Sequence, residues 1–93
     1  MSEAAPAYVY LLRCGAAGTL YCGWTADLPR RLSAHQAGKG GRYTRSRLPV
    51  ELAAALPMPD ASTARREEAR IKQLTRTQKL ALVAAQGPTS PAG

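Results

Sequence analysis

Five side chains of this sequence make up a set suited to proton transfer and phosphate chemistry: the phenols of Tyr10 and Tyr21, the guanidinium of Arg31, the imidazole of His35 and the carboxylate of Glu68. Tyr10 closes the triplet Tyr8-Val9-Tyr10 and Tyr21 opens the triplet Tyr21-Cys22-Gly23; Arg31 and His35 follow at helical spacing, and Glu68 comes much later. Attack on a phosphodiester builds negative charge on the non-bridging oxygens and the leaving oxygen, so a guanidinium and a metal ion aimed at them lower the barrier. Phenols and an imidazole are groups that orient the attacking water and receive its proton. A phenol with an ordinary pKa of about 10 is a poor base at neutral pH unless a neighbouring cation lowers it.

Those residues sit in a short, basic chain. Its 93 residues, 45% of them apolar, suffice for one small domain with a single core. Thirteen Lys and Arg against six Asp and Glu give a net charge of +7, and ten of the cations are arginine, whose planar fork grips two phosphate oxygens at once. The charge points to a polyanion as partner. Two cysteines, no basic leader and a first apolar run too short for a signal or a membrane span indicate a cytoplasmic protein in a reducing compartment. One histidine and two isolated thiols do not complete a tetrahedral zinc set.

The elements that must position the five side chains are read from pattern. Residues 1–6 read as a flexible leader and residues 87–93 as a disordered tail, leaving one domain over residues 7–86. Ala7 to Arg13 and Thr19 to Trp24 read as the two strands of a hairpin. A two-residue turn at Gly15-Ala16 would pair Cys14 with Ala17, Leu12 with Thr19, Tyr10 with Tyr21 and Cys22 with Val9, keeping the thiols apart. Asp27 caps a first helix that runs to Gly38. Gln36 to Leu48 has no period and reads as a basic, mobile loop. Val50 to Leu56 reads as a third strand, apolar on both faces and ended by Pro57 and Pro59. Asp60 or Ser62 caps a long helix to about Leu74 with an inward stripe of Ala61, Ala64, Ile71 and Leu74, and a last helix starts near Thr75 or Thr77. The fold class is therefore α+β: a small, three-stranded, mainly antiparallel sheet flanked by helices in the order β-β-α-β-α-α.

Helical spacing separates some candidates and not others. With Leu28 and Leu32 as the buried stripe, Arg31 stands beside His35 at i+4 and the two flank one cleft, while Arg30 points to the opposite, solvated face. Glu67 and Glu68 lie equally far to either side of their helix's apolar stripe, so periodicity leaves both open as the metal-binding carboxylate.

The ordered set of Tyr10, Tyr21, the glycine after the second triplet, Arg31 and the later glutamate resembles the GIY-YIG nuclease superfamily from Tyr8 to about Ala84. It is most similar to the short stand-alone bacterial members like YhbQ, through Ala37-Gly38-Lys39-Gly40-Gly41-Arg42-Tyr43-Thr44-Arg45 and Leu48-Pro49-Val50-Glu51-Leu52. The resemblance implies a metal-dependent DNA endonuclease of repair or maintenance. In it Arg31 stabilises phosphate charge, Glu68 (four residues after Ala64 and four before Lys72) holds Mg²⁺ or Mn²⁺, and Tyr10, Tyr21 and His35 manage the water and its proton. One carboxylate is few for magnesium, but this ion keeps most of its waters and takes substrate oxygens as further ligands. Lys39, Arg42, Tyr43, Arg45 and Arg47 are expected to contact DNA along the glycine-rich loop. Four departures stand out: Tyr8-Val9 in place of Gly-Ile, Cys22 in place of Ile, Trp24 where some relatives carry lysine, and the absence of any asparagine, a residue many members place late in the site. A second reading is a non-catalytic nucleic-acid-binding module that retains the fold.

Overall fold

A computed structural model describes residues 6–86; the leader and tail expected at residues 1–6 and 87–93 lie outside them, Pro6 excepted. Strands β1 (Ala7–Cys14), β2 (Thr19–Thr25) and β3 (Val50–Met58) form one antiparallel sheet in the order β2-β1-β3. Helices α1 (Leu28–Gln36) and α2 (Arg42–Arg45) lie between β2 and β3, and α3 (Ala61–Lys72) and α4 (Arg76–Gln86) follow. The α+β class and the order of elements are those expected, with α2 as an extra turn of helix.

The central place of β1 explains its composition. A strand paired on both sides and covered on both faces carries a continuous apolar run rather than an alternation. On one face Val9 and Leu11 pack with Cys22, Ala54, Ala64 and Ile71, which seats α3 against the sheet. On the other, Tyr10, Leu12 and Cys14 pack with Val50, and Leu28 and Leu32 of α1 close over them. Val9, Leu11, Leu12 and Ile71 are fully buried, each contributing about 1.5–3 kcal/mol by leaving water. Cys14 and Cys22 are free, buried and on opposite faces, so they act as packing residues.

Several local expectations are corrected. The hairpin pairs Cys14 with Thr19, Leu12 with Tyr21, Leu11 with Cys22 and Tyr10 with Gly23, two residues away from the register of a two-residue turn. The chain reverses over Gly15 to Gly18 instead, and both glycines have φ of 68°, a left-handed conformation that side chains disfavour. A shift of two preserves side-chain parity, so Tyr10 and Tyr21 still share a face, but as diagonal neighbours. β3 runs on through Pro57 to Met58, because it is an edge strand and one side of its backbone needs no partner. Its pairing with β1 slips between Leu11 and Leu12, leaving Ala53 as the extra residue of a bulge.

The caps explain where the helices begin. Asp27 accepts a hydrogen bond from the Arg30 amide at 3.2 Å, and Asp60 accepts one from the Thr63 amide at 2.7 Å. Thr75 and Gln78 exchange reciprocal bonds of 3.1 and 2.9 Å, a capping box that starts α4. The break between α3 and α4 falls after Lys72 rather than Leu74. The segment expected to be a structureless, mobile loop contains α2, and its Thr44 is buried at 1% exposure.

Candidate active site

Tyr10 lies at the centre of the site because β1 lies at the centre of the sheet. Its ring crosses the neighbouring strand at Gly23, where any Cβ would stand 2.6 Å from the Tyr10 hydroxyl oxygen. Gly23 is therefore required by contact and not by backbone conformation. The hydroxyl meets His35 Nε2 at 3.0 Å, and the His35 ring, in the last turn of α1, is itself only 1% exposed.

His35 is boxed from the loop side. Its Nδ1 lies 2.7 Å from Thr44 Oγ1, and the backbone of Gly40 lies so close that a Cβ there would come within 2.2 Å of Nδ1. Burial and the Arg31 charge both push the His35 pKa below its ordinary value, so the ring is neutral at neutral pH. Tyr21 stands 5.4 Å from His35 between ring centroids and stacks at 5.5 Å on Tyr43. The Arg47 guanidinium lies 3.8 Å over the Tyr43 ring and donates to the Tyr43 carbonyl at 3.1 Å. A continuous row of Arg47, Tyr43, Tyr21, His35 and Tyr10 thus runs from the exposed loop to the buried hydroxyl.

Arg31 and Glu68 approach from different helices. Arg31 is exposed on α1 and lines a groove of 260 Å³ with Thr25, Asp27, Arg30 and Ala34. Arg30 thus shares the groove instead of facing away, and His35 lies beneath the surface instead of flanking the cleft with Arg31. Glu68 projects from α3, one-fifth exposed, and pairs with Lys72 at 3.2 Å. Glu67 is turned outward into a two-point contact with Arg70.

The fields of these groups converge on Tyr10. Burial pushes its pKa strongly upward and Tyr21 adds to the rise, while Arg31 opposes it and Glu68 reinforces it. The phenol is accordingly held neutral, opposite to the lowering a phenolate base would need. Glu68 also acts on Cys22, whose thiol is pushed up to about 11, first by burial and then by that carboxylate. Among the described residues no three His, Cys, Asp or Glu side chains converge on one point, so a divalent ion would meet one protein carboxylate and otherwise solvent or substrate oxygens.

The loop cations divide into two groups. Lys39, Arg42 and Arg45 line an open cleft of 320 Å³ with Gly38 and Gly41 and have no acid among its walls. Among the described residues none of the three forms an ion pair. Arg47 instead lies on Tyr43, and that ring is already stacked on Tyr21. The sequence assigned no role to Gly40 or Thr44, although both stand in the loop motif. The signal available was a polar, β-branched residue and a glycine in a run of arginines, which spacing alone cannot connect to His35.

Comparison with known proteins identifies the family of this fold. Residues 6–81 match the family described as the GIY-YIG catalytic domain. A UPF0213 protein of Streptococcus agalactiae is 49% identical over 78 residues, covering 84% of this chain and 88% of that protein. A UPF0213 protein of Nitratidesulfovibrio vulgaris is 51% identical over 80 residues, covering 86% and 72%. The solution NMR structure of a UPF0213 protein from Bacillus halodurans is similar with a TM-score of 0.57 and 42% identity, over 89% of this chain and 88% of that one. Two strands that bring Tyr10, Tyr21 and Gly23 together, a helix carrying Arg31 and a later helix carrying Glu68 are thus the frame of a nuclease-type domain, and the chain belongs to the GIY-YIG catalytic-domain family.

Proposed function

We propose that the protein is a divalent-metal-dependent DNA endonuclease whose water-activating unit is the Tyr10–His35 pair. The observation that carries this reading is the buried Tyr10 hydroxyl, 3.0 Å from His35 Nε2 and within the fields of both Arg31 and Glu68. A scissile phosphodiester is placed with its non-bridging oxygens toward Arg31. As the water oxygen attacks phosphorus, its proton passes to the Tyr10 oxygen while the Tyr10 proton passes to His35 Nε2. The phosphorus–oxygen bond to the leaving group then breaks, the leaving oxygen keeping the bonding pair and taking a proton from solvent. The phenol remains neutral before and after the transfer, consistent with a pKa too high for a standing phenolate.

Burial first and the Arg31 charge second lower the basicity of His35 in the free protein, and the single negative charge of a bound phosphodiester on Arg31 would offset the second of these. Glu68 would hold Mg²⁺ or Mn²⁺, which would supply Lewis-acid stabilisation of the developing phosphate charge, and Lys72, 3.2 Å from the carboxylate, would have to release it or share it. Lys39, Arg42 and Arg45 carry the flanking backbone in their acid-free cleft.

Cleavage of labelled single-stranded, duplex and branched DNA with Mg²⁺ or Mn²⁺ tests the reading. Arg31→Ala and Glu68→Ala should each abolish cleavage while leaving the fold intact. Cleavage retained by both variants sinks the assignment of the site. Tight binding with no cleavage of any substrate favours a non-catalytic binding module.

A further inference from the structure

Thr44 is the one buried polar residue of the loop, and its contacts define which way the protons in the site point. Its hydroxyl carries a single proton, and the Gly41 carbonyl, at 3.4 Å, is in place to accept it. Toward His35 Nδ1, at 2.7 Å, Thr44 Oγ1 is then the acceptor, and Nδ1 carries hydrogen. Nε2 is left with its lone pair facing the Tyr10 hydroxyl at 3.0 Å. This arrangement also gives the buried Tyr10 O–H an acceptor, since Nε2 is its hydrogen-bond partner among the described residues.

We propose that Thr44 is a positioning residue: it holds His35 in the Nδ1-protonated tautomer and so turns the Tyr10 oxygen toward the substrate as a proton acceptor. The opposite tautomer inverts the site. With hydrogen on Nε2, His35 donates to the Tyr10 oxygen, the Tyr10 proton points outward, and no lone pair is left to receive it. In the favoured tautomer one proton moves from water to Tyr10 oxygen and one from Tyr10 oxygen to Nε2, giving imidazolium and a phenol unchanged in charge. Gly40 completes the device, since its backbone lies against the imidazole and any side chain there would collide with the ring. Thr44 sits between Arg42 and Arg45 of the cationic cleft, so the segment that meets DNA also sets the tautomer.

The proposal rests on the Tyr10–His35 reading for its catalytic consequence, but its test has a part that does not. His35 is the single histidine of the chain, so ¹⁵N NMR of the imidazole is unambiguous. The wild type and Thr44→Ser should show hydrogen on Nδ1, and Thr44→Val, nearly the same in shape but unable to accept, should shift toward hydrogen on Nε2. In cleavage assays Thr44→Val should lower kcat by about 10- to 100-fold with KM little changed, and Thr44→Ser should restore most of it. Hydrogen on Nε2 in the wild type, or an unchanged tautomer in a folded Thr44→Val, overturns the proposal. A correct tautomer shift in a protein that cleaves nothing overturns the nuclease reading and upholds Thr44 as the group that sets the His35 tautomer.

Discussion

Gly23→Ala is the substitution that most directly tests how the site is built. The new Cβ would stand 2.6 Å from the Tyr10 hydroxyl oxygen, 2.7 Å from Cζ and 3.2 Å from Cε1. Restoring ordinary contact needs a shift of roughly 0.8 Å, and the moving atoms are the rigid end of a buried ring. Tyr10 is 3% exposed between α1 and the sheet, so the ring cannot swing into solvent. Overpacking of this kind costs about 1–3 kcal/mol. A domain of this size loses about 4–8 °C in Tm per kcal/mol, so a fall of roughly 4–24 °C is expected. The same displacement misplaces the Tyr10 hydroxyl against His35, and errors near 1 Å at a reacting group cost about 100-fold in rate. Thermal unfolding of Gly23→Ala, Tyr10→Leu and the double variant forms a cycle. Because leucine lacks the clashing atoms, Gly23→Ala should cost less than about 0.5 kcal/mol in the Tyr10→Leu background. An equal cost in both backgrounds, or a fully stable and active Gly23→Ala, would refute contact with Tyr10 as the reason for glycine.

Other expectations follow from charge and burial. The pKa of His35 is lowered in the folded protein, so the unfolded chain binds the extra proton first and stability should fall as pH drops below about 6.5. Tm measured between pH 7.5 and 5 should decline in the wild type, and the decline should flatten in His35→Gln. Replacing Lys39, Arg42 and Arg45 together by alanine should weaken DNA binding and reduce the slope of log affinity against log salt by about 2–3. An unchanged slope would place the DNA path elsewhere. Cys14 and Cys22 are buried with raised pKa values, Cys22 to about 11, so a thiol reagent should label neither until denaturant is added.

Much of the site was legible because its residues sit on elements with clear periods. Parity along β1 and β2 places Tyr10 and Tyr21 on one face, and this survives a register error of two because a two-residue shift returns each side chain to the same side. Register itself was not legible: the turn spans Gly15 to Gly18, and two glycines bracketing two alanines are compatible with more than one reversal. The place of His35 was read only in part. Spacing put it near Arg31, but its burial depends on Gly40 and Thr44, which reach it from a segment without any period.

The sequence by itself determined the α+β class, the single small core and the basic character, because helix and strand periods and residue chemistry are local properties, and it offered Tyr10, Tyr21, Arg31, His35 and Glu68 as the candidate site, with Glu68 chosen by the family pattern and not by periodicity. Tertiary structure alone decided that Glu67 is drawn into a two-point contact with Arg70 while Glu68 pairs with Lys72, that the Tyr10 phenol is held neutral, and that the loop reaches back to clamp His35. These depend on distances and desolvation between elements far apart in the chain, and no spacing along it encodes them.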